Sequence, residues 1–163
     1  MNSVDLLRRT IEFSNSVCSA YLSDLTDEEL MMRPVEGANH IAWQLGHLIV
    51  SEHNLINIVC PGSMPDLPDG FENQYESEHS ASDSPSDFHS KDQFFAAFAE
   101  QRNATLSALD QLSPDELMAP APNNIHDLCQ TVAEVFALQG QHWLMHGGQW
   151  AILRRKLGKP PLF

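Results

Sequence analysis

The sequence predicts an all-α protein, a four-helix bundle with a long loop between its second and third helices. Three observations predict it. Apolar residues recur at helical spacing in four long segments. A capped one-turn motif occurs twice, each time after a long helix. No stretch alternates with the two-residue period of a strand for long enough to make a sheet.

The first helix runs from Val4 to about Leu22, carrying Leu6, Leu7, Ile11, Phe13, Val17, Cys18 and Leu22 with no Gly or Pro between them. Leu25-Thr-Asp-Glu-Glu-Leu-Met follows, where Thr26 and Glu29 have the spacing of a capping box, and Pro34 and Gly37 end it. The second long helix is expected to open at Asn39, a good N-cap, and to run through IAWQLGHLIVSEHNLINIV to Pro61. Residues 61–90 hold four of the ten prolines and many Ser, Asp and Glu, which makes a long loop. Phe71, Tyr75 and Phe88 are its anchors if it folds over a site; otherwise it is an acidic excursion. The third helix starts at Ser90, with Gln93 at the capping-box position. Leu112-Ser-Pro-Asp-Glu-Leu-Met then repeats the layout of 25–31, and APAPNN leads into the last helix. Thr131 and Glu134 cap that helix, and Gly158, Pro160 and Pro161 terminate it.

A chain of 163 residues with 42% hydrophobic and 19% charged content is expected to form one domain, over residues 1–163. Nine Lys and Arg against 22 Asp and Glu give a net charge of −13, which argues against nucleic acid or an anionic membrane as partner. Cys18, Cys60 and Cys129 are odd in number, widely spaced and without a CxxC pair, as expected of idle thiols in a reducing cytoplasm. No secretory signal or membrane-spanning run is evident, so a cytoplasmic location is expected.

Chemistry concentrates in the histidines. On the last helix Gln139, His142, His146 and Gln149 share one face within a largely apolar segment, an arrangement that is costly unless each group finds a partner. His47 stands in an equally apolar part of the second helix, after Gly46. That glycine costs about 1 kcal/mol relative to Ala and is tolerable where a neighbouring helix comes close. One His from the second helix and two from the last can converge inside the bundle, and three neutral imidazoles suit zinc, nickel or a similar divalent ion with positions left open. Trp143 stands where an HExxH protease carries its Glu, which excludes that chemistry. The alternative for each histidine is a hydrogen-bonded core residue.

Around this set, Gln44 and Ser51 flank His47 at spacings of three and four and are candidates to hold the imidazoles in place. Trp43 and Trp143 either wall a pocket or fill the core. His40 lies on the His47 face but about 10 Å along the axis, and either lines the pocket or caps an exposed helix start. His53 is expected to be exposed, and His126 is a possible extra ligand.

The GHL of the second helix, the capped LSPDEL turn and the final HWLMHGGQWAILRRKLGKPP together resemble the DinB-like superfamily of metal-binding four-helix bundles, over nearly the whole chain. The resemblance implies that His47, His142 and His146 are ligands to nickel or zinc, with water completing the shell. It implies a thiol-S-transferase or related enzyme using a low-molecular-weight thiol such as bacillithiol or mycothiol, a small-molecule substrate, and a homodimer. Many members carry Arg after the second motif His, whereas here Gly147 follows His146. Three functions remain open: a metal-dependent thiol transferase or hydrolase, a non-catalytic metal-binding stress-response protein, and a binding module with structural histidines.

Overall fold

The computed structural model describes residues 2–162; Met1 and Phe163, the ends of the expected 1–163 domain, lie outside the described residues. It is all-helical, with no strand among the described residues. Four helices are long: α1 (Ser3–Leu22), α3 (Ile41–Val59), α5 (Lys91–Gln111) and α7 (Val132–Lys156). Three are single turns: α2 (Asp27–Leu30), α4 (Phe71–Gln74) and α6 (Pro114–Leu117).

Local chemistry sets most boundaries. Thr26 with Glu29, Ser90 with Gln93 and Ser113 with Glu116 each form the reciprocal capping box their spacing predicts. Thr131 caps α7, but the Glu134 carboxylate accepts from the Gln130 N–H instead of completing a box. Gly158, at φ +74°, takes the left-handed conformation past the end of α7. The expected cap of the second long helix is corrected: His40, not Asn39, is the N-cap of α3, its Nδ1 accepting from the Trp43 N–H at 3.1 Å.

Contacts between the long helices fix their directions. Thr10 and Ile11 lie beside Gly140, Cys18 beside Gly147, and the Tyr21 carbonyl beside Arg154, so α1 and α7 run parallel. The first half of α3 shares a core cluster with Phe94 and Ala97 and its last turns share one with Ala108 and Leu109, so α3 and α5 are also parallel. Arg8 reaches Leu106 and Asp110 while Lys91 reaches the Ser23 and Leu25 carbonyls, which makes α1 and α5 antiparallel. Gln44 meets Gln149 and Trp150 while His47 meets His142, and α3 and α7 are antiparallel too.

Two parallel helices in succession need a connection that travels back along the whole of the first, about 28 Å for the 19 residues of α3. That is why residues 61–90 are so many. The segment holds α4 and 3-10 turns at 77–81 and 85–87, and Phe71, Tyr75 and Phe88 are buried as its anchors. Arg33 ties it down further, donating to the Ser80 carbonyl and to Asp83.

The close approach behind Gly46 comes from this connector and not from a helix: a Cβ there would overlap the Tyr75 ring. Close approach of two helices does occur at Gly140, where an added Cβ would stand 3.2 Å from Ser14 Oγ and 3.4 Å from the Thr10 carbonyl. Two apolar clusters form the core, one around Trp43, Trp143 and Trp150, the other around Ile11, Val135 and Phe136. Buried polar groups that sequence reasoning missed bridge α3, α5 and α7: Glu52 accepts from Arg102 at 2.8 Å and from Thr105 at 2.7 Å, and Arg102 donates also to the Gln139 carbonyl.

Gly46→Ala should lower stability by about 1–3 kcal/mol through overpacking, despite a helix-propensity gain of about 1 kcal/mol. In a Tyr75→Ala background the same change should be neutral or stabilising. Urea unfolding of the four proteins measures both, and a Gly46→Ala variant more stable than the parent would contradict the packing described.

Candidate metal centre

α3 and α7 cross with their histidines facing one another. The ring centroids of His47 and His142 are 5.2 Å apart, those of His47 and His146 5.8 Å, and those of His142 and His146 5.0 Å. One nitrogen from each ring can be chosen so that all three atoms lie within 4.8 Å of one another, close enough to share one ion. All three rings are half-buried, neither sealed in the core nor free in solvent.

Gln44 organises the cluster. Its Oε1 accepts from His146 Nδ1 at 2.9 Å and from Trp150 Nε1 at 2.8 Å. Its Nε2 donates to the Asn39 carbonyl at 2.6 Å and to Gln149 Oε1 at 3.1 Å. A carbonyl oxygen only accepts, so His146 carries its proton on Nδ1 and presents Nε2 as a lone pair. The amide is 1% exposed and all its hydrogen-bonding capacity is used. Trp43 stacks on His47, centroids 4.9 Å apart and planes within 8°, and is itself held by its Nε1–H donating to the Glu76 carbonyl.

Burial holds all three imidazoles below their ordinary pKa of 6.5, His142 and His146 to about 4, with the neighbouring histidines adding a smaller push. They are therefore neutral at pH 7, the form in which imidazole binds a metal. The donor set fits a divalent ion of borderline softness: three neutral nitrogens, at least one fixed in tautomer, with no lysine or arginine hydrogen-bonded to any of them.

The other expected participants divide. Gln44 and Gln149 belong to the hydrogen-bonded surround, and Trp43 is a wall. Ser51 is half-buried and no hydrogen bond links it to the imidazoles. Trp143 is core: it lies 4.3 Å from the Phe98 ring and beneath the Arg102 guanidinium, not beside the histidines. His40 neither lines the site nor sits exposed. It is fully buried, capping α3 with one nitrogen and bonded through Nε2 to the Ser82 carbonyl at 3.0 Å. His53 is half-buried, its Nδ1 3.1 Å from Gln101 Oε1, because α5 packs on that side of α3. His126 is exposed and apart from the cluster. Trp150, the second donor to Gln44, went unnoticed in the sequence; its place four residues past His146 was the available signal.

Gly147, the residue after His146, faces α1: Cys18 Sγ would be 3.5 Å from a Cβ placed there. The Cys18 thiol is buried and pushed up to about 12 by desolvation, so it is inert at neutral pH. Among the described residues no helix is long and apolar enough to cross a membrane.

A family model described as the DinB superfamily matches residues 10–150. The chain belongs to the DinB superfamily. No curated protein matches it.

The depressed imidazole pKa values fix a pH dependence for the metal-free chain. Unfolded, these histidines take up a proton near 6.5; folded, His142 and His146 do so only near 4. Stability is complete above 6.5 and is lost as pH falls towards 4. Urea midpoints in chelator should be lower at pH 5 than at pH 7, and the His142→Gln, His146→Gln double variant should lose the larger part of that slope. Midpoints equal at both pH values would contradict the neutral cluster.

Proposed function

We propose that this chain is one four-helix-bundle domain, residues 61–90 forming its long connection, in which His47, His142 and His146 hold a single divalent ion, nickel or zinc. The observation that carries the reading is the convergence of one nitrogen from each ring to within 4.8 Å from two antiparallel helices. Bound to three neutral imidazoles, such an ion keeps its full charge and can bring a water or thiol pKa towards about 7. Gln44 fixes the tautomer and plane of His146, and Trp43 covers one face of His47. The cluster is only half-buried, and a cavity of about 390 Å³ opens beside His47. Both features favour an enzyme acting on a small molecule, by thiol transfer or hydrolysis, over a sealed structural metal site. A homodimer and a cytoplasmic location complete the proposal.

The test is metal analysis of untagged protein purified without a nickel column. About one equivalent of metal per chain is expected, lost in His142→Ala. Gln44→Leu, which leaves the Trp150 indole N–H without its acceptor, should lower stability and weaken metal affinity by about 10–100-fold. Protein without metal, or His142→Ala with unchanged metal content, would contradict the proposal. A thiol-transfer and hydrolysis screen with the ion restored then separates the two reactions.

A further inference from the structure

The cavity beside His47 has a chemistry of its own. One wall is the Trp43–His47 stack, continued by Val50 along the same helix; the opposite side comes from the connector. Its charged lining residues are Glu72 and Glu76, and no Lys or Arg lines it. Asn54 Nδ2 donates to Glu72 Oε1 at 2.9 Å, which ties α3 to the connector and holds that carboxylate in place. The Glu76 backbone is pinned by the indole of Trp43.

The chain's cations are committed elsewhere or placed elsewhere. Arg8, Arg33, Arg102 and Arg154 pair with Asp110, Asp83, Glu52 and Asp24, and Lys159 lies between Asp24 and Glu29. An acidic thiol entering beside His47 would meet two carboxylates with nothing to neutralise its own. A net charge of −13 adds a field that attracts cations and repels anions. An aromatic wall and two carboxylates around one cavity are what an organic ammonium group binds.

We propose that the cavity formed by Trp43, His47, Val50, Asn54, Glu72 and Glu76 takes the cationic, ammonium-bearing part of the substrate, so that the centre serves an organic amine and not an acidic thiol. The identification of this cavity as part of a substrate site rests on the metal-enzyme reading above; cation recognition by the cavity does not. The ammonium lies against Glu72 and Glu76, any apolar portion packs along Trp43 and Val50, and the remainder of the molecule extends past His47 towards the other two imidazoles.

Benzyltrimethylammonium is the probe, because it has no lone pair with which to ligate a metal. Its binding to the full chain is measured by calorimetry, metal-free and zinc-loaded, beside benzyl alcohol and benzoate. Saturable binding of the ammonium in both forms is expected, weaker at high salt, with benzoate not binding. Glu72→Gln with Glu76→Gln should weaken it by about fivefold or more, with metal content unchanged. Val50→Phe, which fills the cavity without altering charge, should also weaken it. Absent ammonium binding, equal binding of benzoate, or unchanged affinity in a folded double Gln variant would overturn the proposal. Metal analysis of the same samples keeps the two readings apart. A chain that takes up zinc but ignores the ammonium sinks the cavity proposal alone, and a chain that binds the ammonium but takes up no zinc sinks the metal reading alone.

Discussion

Gln44 joins the two histidine-bearing helices at a single carbonyl oxygen, which accepts from His146 on one side and Trp150 on the other. The amide nitrogen of the same side chain ties the start of α3 and Gln149 into the same network. A buried amide with four partners has one orientation, and that orientation sets how α3 lies against α7. His47, three residues along α3, is thereby brought opposite His142, one turn before His146. The close meeting of imidazoles from residues about a hundred apart in sequence depends on that register.

Holding the register takes support from both sides. α1 lies along α7 in the same direction, and the glycine at 140 lets it come close. The connector of residues 61–90 returns along α3, fills the space above Gly46 with the Tyr75 ring, and bonds to Trp43 and His40 through the Glu76 and Ser82 carbonyls. Trp43 is thus fixed by the connector while it stacks on His47. Beneath the cluster, Glu52, Arg102 and Thr105 bridge helices between the two apolar cores. Removing one partner from such a buried pair costs about 3–5 kcal/mol, whereas the surface pairs matter little. Polar residues fix how the helices sit against one another, and apolar burial supplies the driving force.

Much of this was legible in the sequence where the signal is local. The boundaries at Thr26, Ser90, Ser113 and Thr131 follow from hydroxyl caps, because a cap satisfies N–H groups within its own turn. The His142–His146 face follows from helical periodicity, and the polar stripe on an apolar helix marked it as needing partners. What was not legible lies across helices. Gln44 and Ser51 stand at equivalent spacings from His47, and only packing against Trp150 selects Gln44. His40 read as a pocket residue or an exposed cap, because the connector that buries it is about forty residues away. Trp143 and Trp43 looked alike, and the direction in which α7 faces separates them. Glu52 and Arg102 carried no signal, since their pairing exists only once α3 and α5 run parallel.

X-ray absorption spectroscopy on the zinc- or nickel-loaded chain tests the central claim most directly, because it reports the atoms around the ion without reference to activity. The account predicts a nitrogen-rich first shell with the outer-shell scattering of about three imidazoles, reduced in His142→Ala. A shell of oxygen ligands without imidazole scattering would place the ion on surface carboxylates and contradict the three-histidine centre.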